Sequence, residues 1–326
     1  MICALAALSC QRKSGLDTDK DKDIIWQQTA LDSVTVTAIV ATPGEVVFAG
    51  TCGTGIFRST DRGATWARVS RYCCTNLATS AQGYVFAAIG TFILRSADNG
   101  ESWVTLRVSS GLLLGSFAFG ELGQLFVGSA ASDESKGGVY RSVDNGDTWL
   151  QTGFADSMTA IDLVVDKDGD LFAGTGLGVM RSSDNGQTWV QTNAGFRVLG
   201  LIPFVSDLAI DPVLGDIYAA IQFDGVYRST DNGNTWSLTD LDNPTVGTLL
   251  FNFSGQLFAA TGGHSGIEPQ GVFYSANQGR SWSKINNGLK TKDVWNLTAD
   301  PSGYVYAGTD HHGVFRTANS TIGGMK

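Results

Sequence analysis

The 326-residue chain is poor in charge: Lys, Arg, Asp and Glu make up 16% of it, against roughly 25% in an ordinary soluble domain. That scarcity excludes a coiled coil, which needs charged helix formers in heptads. Basic residues are the scarcer sign. With 22 Lys and Arg against 31 Asp and Glu, 22 − 31 gives a net charge of −9, and no nucleic-acid partner is expected, because neutralising phosphates requires clustered cations. Only 6 Pro accompany 41 Gly, which excludes collagen and leaves a Gly-rich globular β protein.

The N-terminal apolar run, ICALAALS at residues 2–9, is far shorter than the roughly 20 residues a spanning helix needs. It ends at Cys10 and is followed by the polar stretch QRKSGLDTDKDKD. Small residues before a Cys resemble the end of a bacterial lipoprotein signal, which implies export and acylation of Cys10, although a basic leader is absent. The expected organisation is therefore a signal and tether over residues 1–23 and one domain over 24–326.

Internal repeats set the architecture. STDRGATW begins at Ser59, SADNGESW at Ser96, SVDNGDTW at Ser142, SSDNGQTW at Ser182 and STDNGNTW at Ser229. SANQGRSW follows from Ser275 and a decayed TANSTIGG from Thr317, so successive starts differ by 37, 46, 40, 47, 46 and 42 residues. That period suits a four-stranded propeller blade of roughly 40–50 residues. Each copy reads as a hairpin turn in which Asp accepts backbone N–H groups, Gly supplies positive φ and Trp starts the outer strand, burying its face between blades. The structural residues are Asp61, Asp98, Asp144, Asp184 and Asp231, with Trp66, Trp103, Trp149, Trp189, Trp236 and Trp282.

These strings resemble the Asp-box, or bacterial neuraminidase repeat, over nearly all of residues 24–318. The resemblance implies an all-β propeller of four-stranded antiparallel blades. Trp26 opens WQQTAL, similar to WLQTGF at Trp149, while the last repeat lacks a closing Trp strand. Pairing residues 24–29 with 313–318 completes a seventh blade and removes an exposed edge.

With strands lettered A (inner) to D (outer), box turns and A-to-B turns fall on one face. The D-to-A connectors and B-to-C loops fall on the other, hereafter the loop face. Trp189 to Tyr218 spans 29 residues where other blades need 20–24, and the B-to-C loops of blades 3 and 6 are also long. All three insertions lie on the loop face, the usual place for specificity. The blade 5 connector brings Phe196, Arg197 and Phe204, as either a partner-binding patch or a channel plug. The blade 3 loop brings Asp133 and Glu134, and the blade 6 loop His264 and Glu268. Arg71, Tyr72, Arg107, Phe223, Asp224, Asp240, Asp242, Asp293, Trp295, Asp310, His311 and His312 complete the candidate face. His264, His311 and His312 follow no metal motif, so a hydrogen-bonding rim is expected, with no metal and no cofactor. A disulfide from Cys52 to Cys73 or Cys74 suits an exported protein.

Resemblance to sialidases would imply an arginine triad and an early Phe/Tyr-Arg-Ile-Pro motif, and that motif is absent. Xyloglucan-hydrolysing propellers place their cleft between two tandem domains, and this sequence reads as one. The chain most resembles photosystem II assembly-factor-like propellers in blade number and length, which implies a non-catalytic, exported, monomeric scaffold for a protein or glycan. The alternative is a glycoside hydrolase using carboxylates on the loop face, among them Asp207.

Overall fold

A computed structural model describes residues 24–109, 111–131, 137–197, 203–243, 245–262 and 267–322. Its 28 strands form seven four-stranded antiparallel sheets. Blade 1 comprises Val36–Ala41, Val47–Thr51, Gly55–Ser59 and Ala67–Ser70. Blades 2 to 6 follow in chain order. Blade 7 takes Val294–Ala299, Val305–Thr309 and Gly313–Thr317 from the C-terminal end and Trp26–Gln28 from the N-terminal end. Trp26 pairs with Thr317 and Gln28 with Phe315, so the ring closes as the repeat count requires. The closing Trp26 is 2% exposed, and its indole N–H donates to the Ile285 carbonyl of blade 6 at 2.6 Å. No helix among the described residues is long and apolar enough to cross a membrane.

B strands carry the core. Val47–Thr51, Leu171–Thr175, Ile217–Ile221 and Val305–Thr309 are buried at every position, and Phe48, Phe172, Tyr218 and Tyr306 have no exposed surface. Apolar clusters bridge successive blades, so hydrophobic burial joins the sheets to one another.

The box turns share one hydrogen-bond pattern. In blade 4, Ser182 Oγ donates to Asp184 Oδ1 at 2.8 Å and accepts from Gly186 N at 2.9 Å. Thr188 donates its N–H to Oδ1 at 2.9 Å and its hydroxyl to Oδ2 at 2.6 Å. These bonds favour the anion, and Thr188 chief among them holds Asp184 down to about 2. Asp98 and Asp144 are lowered likewise, led by Ser102 and Thr148. Two consecutive residues take positive φ, Asn185 at 58° and Gly186 at 86°, so the expectation of one left-handed residue is corrected. Asn tolerates that conformation better than most side chains, which accounts for Asp-Asn-Gly in four boxes. The box Trp rings also differ from expectation: Trp236 is 3% exposed, but Trp66, Trp103, Trp149, Trp189 and Trp282 are half-buried.

Candidate functional site

Around the channel, one register of the A strands presents Ala38, Asn76, Asp162, Asp207, Thr248 and Asn296, opposite Gly50, Ala88, Gly174, Ala220, Ala260 and Gly308. Several of these side chains tie their blade to the next one. Asp162 Oδ2 accepts from Leu208 N at 3.0 Å, Asp207 Oδ2 from Leu249 N at 2.5 Å, and Asn296 Nδ2 donates to Val36 O at 3.3 Å. Asp162 and Asp207 also hydrogen-bond to each other, which requires a shared proton. Burial raises both, and the charge of Asp162 raises Asp207 further. Asp207 is therefore a half-buried A-strand residue bonded across to the next blade, correcting its expected place among the carboxylates of the loop face.

On the loop face, the connector leaving blade 1 lays the Arg71 guanidinium 5.4 Å over the Tyr72 ring. The Tyr72 ring meets Phe92, the first residue of the blade 2 C strand, edge-on at 5.4 Å. Tyr72 is 41% exposed, and neither Arg71 nor the exposed Arg107 has an acidic partner among the described residues. Phe92 was invisible to loop-length arguments, and the signal that marks it is that it opens its C strand where the other six blades have Gly.

A second group surrounds Arg197. Its Nη1 lies 3.3 Å from Asp224 Oδ1 and 3.2 Å from Asp242 Oδ2, and its backbone N–H donates to Tyr227 Oη at 3.2 Å. Tyr227 donates to Asp224 Oδ2 at 2.5 Å, which satisfies that buried carboxylate. Desolvation and the adjoining Asp224 push the Tyr227 phenol up to about 12. Phe196 is the anchor beneath, 7% exposed, edge-on to Tyr227 at 5.0 Å and tilted against Trp236 at 5.2 Å, so it is core rather than binding surface. Phe204 and Phe223 do remain outside, at 40% and 46% exposed. Asp240 sits apart from Asp242: its N–H donates to Gly279 O in the blade 6 box turn at 3.0 Å, which places it at the outer rim.

A third group lies between blades 7 and 1. Thr35 donates to Asp310 Oδ1 at 2.8 Å, Trp295 Nε1 to Asp293 Oδ1 at 2.9 Å, and Asp310 N to Asp293 O at 3.2 Å. His311 stands 3.5 Å from Asp310, and His312 Nδ1 lies 3.0 Å from the Asp310 carbonyl. Glu268 is exposed in the blade 6 loop. No cluster of three metal-ligating side chains exists among the described residues. Asp133, Glu134, His264 and Cys10 lie outside the described residues.

Cys52, Cys73 and Cys74 are free thiols. Gly53 N donates to Cys73 Sγ at 3.1 Å, which brings Cys73 to the loop of Cys52. Cys74 is buried, its sulfur seated against Gly50, and desolvation pushes it up to about 12. Of the two expected partners for Cys52, only Cys73 is exposed at the loop.

No protein-family profile matches the chain, and no curated protein matches it. Solved structures do. The extracellular domain of BT4673 from B. thetaiotaomicron is similar with a TM-score of 0.70 at 14% identity, covering 90% of this chain and 39% of its own. The chain thus spans about two fifths of that protein. YCF48 bound to D1 peptide matches with a TM-score of 0.68 at 15% identity over 94% of this chain and 100% of its own. The Niastella koreensis GH74 enzyme gives 0.65 at 19% identity over 90% and 44%. At such identities the likeness establishes the seven-bladed fold alone.

Proposed function

We propose that the protein is an exported, non-catalytic binding scaffold that takes an extended protein segment on its loop face. The observation that carries this reading is the contrast in side-chain employment there. Among the described residues Arg71 and Arg107 lack carboxylate partners, and Arg71 lies over the exposed Tyr72, which meets the half-buried Phe92, while Asp224, Asp242, Asp293 and Asp310 are engaged by neighbours. Unpaired guanidiniums and an aromatic platform suit acidic and apolar side chains of a ligand. The peptide in the YCF48 structure is a precedent for a propeller of this length and blade number holding a chain segment.

The alternative, glycoside hydrolysis, is favoured by one arrangement: Asp293 and Asp310 are neighbours beside Trp295, an aromatic fit for a sugar ring. Against it, each of these carboxylates already accepts a bond from a neighbouring side chain. A fluorogenic sialoside and xyloglucan assay, run with wild type and Asp310→Asn, decides between them. The scaffold reading predicts no turnover by either protein, whereas turnover lost in Asp310→Asn overturns it.

A further inference from the structure

The C strands carry an arginine that crosses to the box turn of the next blade. Arg58 Nη1 donates to Asn99 O and Glu101 Oε1, both at 2.8 Å. Arg95 Nη1 donates to Asn145 O at 2.7 Å and Asp147 Oδ1 at 2.9 Å. Arg181 Nη1 reaches Asn234 Oδ1 at 3.3 Å, and Arg316 Nη1 reaches Arg62 O at 3.0 Å. In three of these four junctions the side-chain acceptor is the sixth box residue: Glu101, Asp147 or Asn234.

Between blades 5 and 6 the pattern reverses sign. The sixth box residue is Arg280, the one cation at that position among the six boxes. Arg228 is held as Arg181 is. Its Nε donates to Asp216 Oδ2 at 2.9 Å and its Nη2 bonds the same oxygen, as Arg181 grips Asp170 through Nε and Nη2. By that template Nη1 of Arg228 is turned towards blade 6. The backbone carbonyl equivalent to Asn99 O is that of Gln278, and it already accepts the Tyr218 hydroxyl at 3.2 Å. Arg280 has no acidic partner among the described residues. A cleft of about 230 Å³ lies between the blades, lined by Arg228 and Arg280 and by Thr230, Ser237 and Asp240.

We propose that this cleft is an anion site for a tetrahedral oxyanion, a phosphate or sulfate monoester, distinct from the loop face. Two guanidiniums from different blades, with hydroxyl donors between them, surround an anion from several directions. A planar carboxylate would need only one guanidinium fork. The Asp240 carboxylate in the same cleft opposes the ligand and limits its affinity.

Isothermal titration of the full chain with inorganic phosphate, and separately with inorganic sulfate, tests the proposal. Saturable binding of at least one is expected, the tighter anion indicating a phosphorylated or a sulfated partner. Arg280→Glu copies the acid of blade 2 and gives Arg228 a second acidic partner beside Asp216. It should weaken binding at least tenfold while keeping the wild-type melting temperature, and Asp240→Asn should tighten binding about threefold. Should Arg280→Glu misfold, Arg280→Gln, which copies Gln187 of blade 4, replaces it. No saturable binding of either anion by wild type, or binding unchanged in the folded Arg280 variant, overturns the proposal.

Discussion

Asp184 in a box turn and Asp224 on the loop face are used in opposite ways. Asp184 is bonded by Ser182 and Thr188, no more than four residues away, whereas Asp224 is bonded by Tyr227 and by Arg197, which comes from the connector 27 residues earlier. The box turn therefore depends on its own eight residues and repeats wherever they repeat. The loop-face cluster depends on three separate segments and occurs once. Periodicity marks scaffold in this molecule, and departure from it marks the places where chemistry can differ between blades.

The largest effect expected from disturbing the scaffold is at the closure. Trp26→Ala removes a buried indole and its hydrogen bond to Ile285, and should cost about 4 kcal/mol in chemical denaturation. A loss below about 1 kcal/mol would mean that the terminal strand does not hold the ring shut.

A box turn is the next test. Ser229→Ala strands the buried Gly233 N–H that Ser229 Oγ accepts at 2.9 Å, at an expected cost of about 2 kcal/mol. The same variant should leave ligand binding at the loop face unchanged, which titration against wild type would check.

The channel pair gives the opposite sign. Folded-state values raised by burial mean that the native protein holds more protons than the unfolded chain. Stability is then full below the unfolded carboxyl range, near 3.8, and declines as pH rises through the raised values, about 6 for Asp162. Asp207→Asn places a permanent donor beside Asp162, as Asn76 and Asn296 do at the same register, and should raise stability at pH 8 by roughly 2 kcal/mol. An unchanged slope of stability between pH 4 and 8 would contradict the shared proton. Box carboxylates work the other way: lowered in the fold, they contribute stability above the unfolded value that is lost as pH falls towards about 2.

The smallest effect on stability, and the largest on function, is expected at the platform. Arg71→Ala and Tyr72→Ala should each change stability by less than about 0.5 kcal/mol, because both side chains are exposed.

Blade number, strand order and the closing role of Trp26 were all readable in the sequence, because each rests on an eight-residue signature or on its local absence. Strand order also assigns every connector to one end of the ring. Depth was not readable. Phe196 lies in a connector rich in exposed residues, yet Trp236 and Tyr227 cover it, while Asp207 just beyond that connector bonds Leu249 N of the next blade. Asp240 and Asp242 are two residues apart and part company at the rim, because a backbone bond to Gly279 draws Asp240 towards the next box turn. The Arg228–Arg280 junction was present in the repeats as a single change of sign, and its meaning depends on which blades touch.

The central claim is that the irregular face binds a protein segment on a scaffold set by the repeats. An array of acidic, aromatic-containing peptides probed with wild type, the Arg71→Ala/Tyr72→Ala double variant and Ser229→Ala tests it most directly. The account predicts a set of peptides retained by wild type and Ser229→Ala and lost by the double variant at an unchanged melting temperature. Peptides bound equally by all three proteins, or by none, would contradict it.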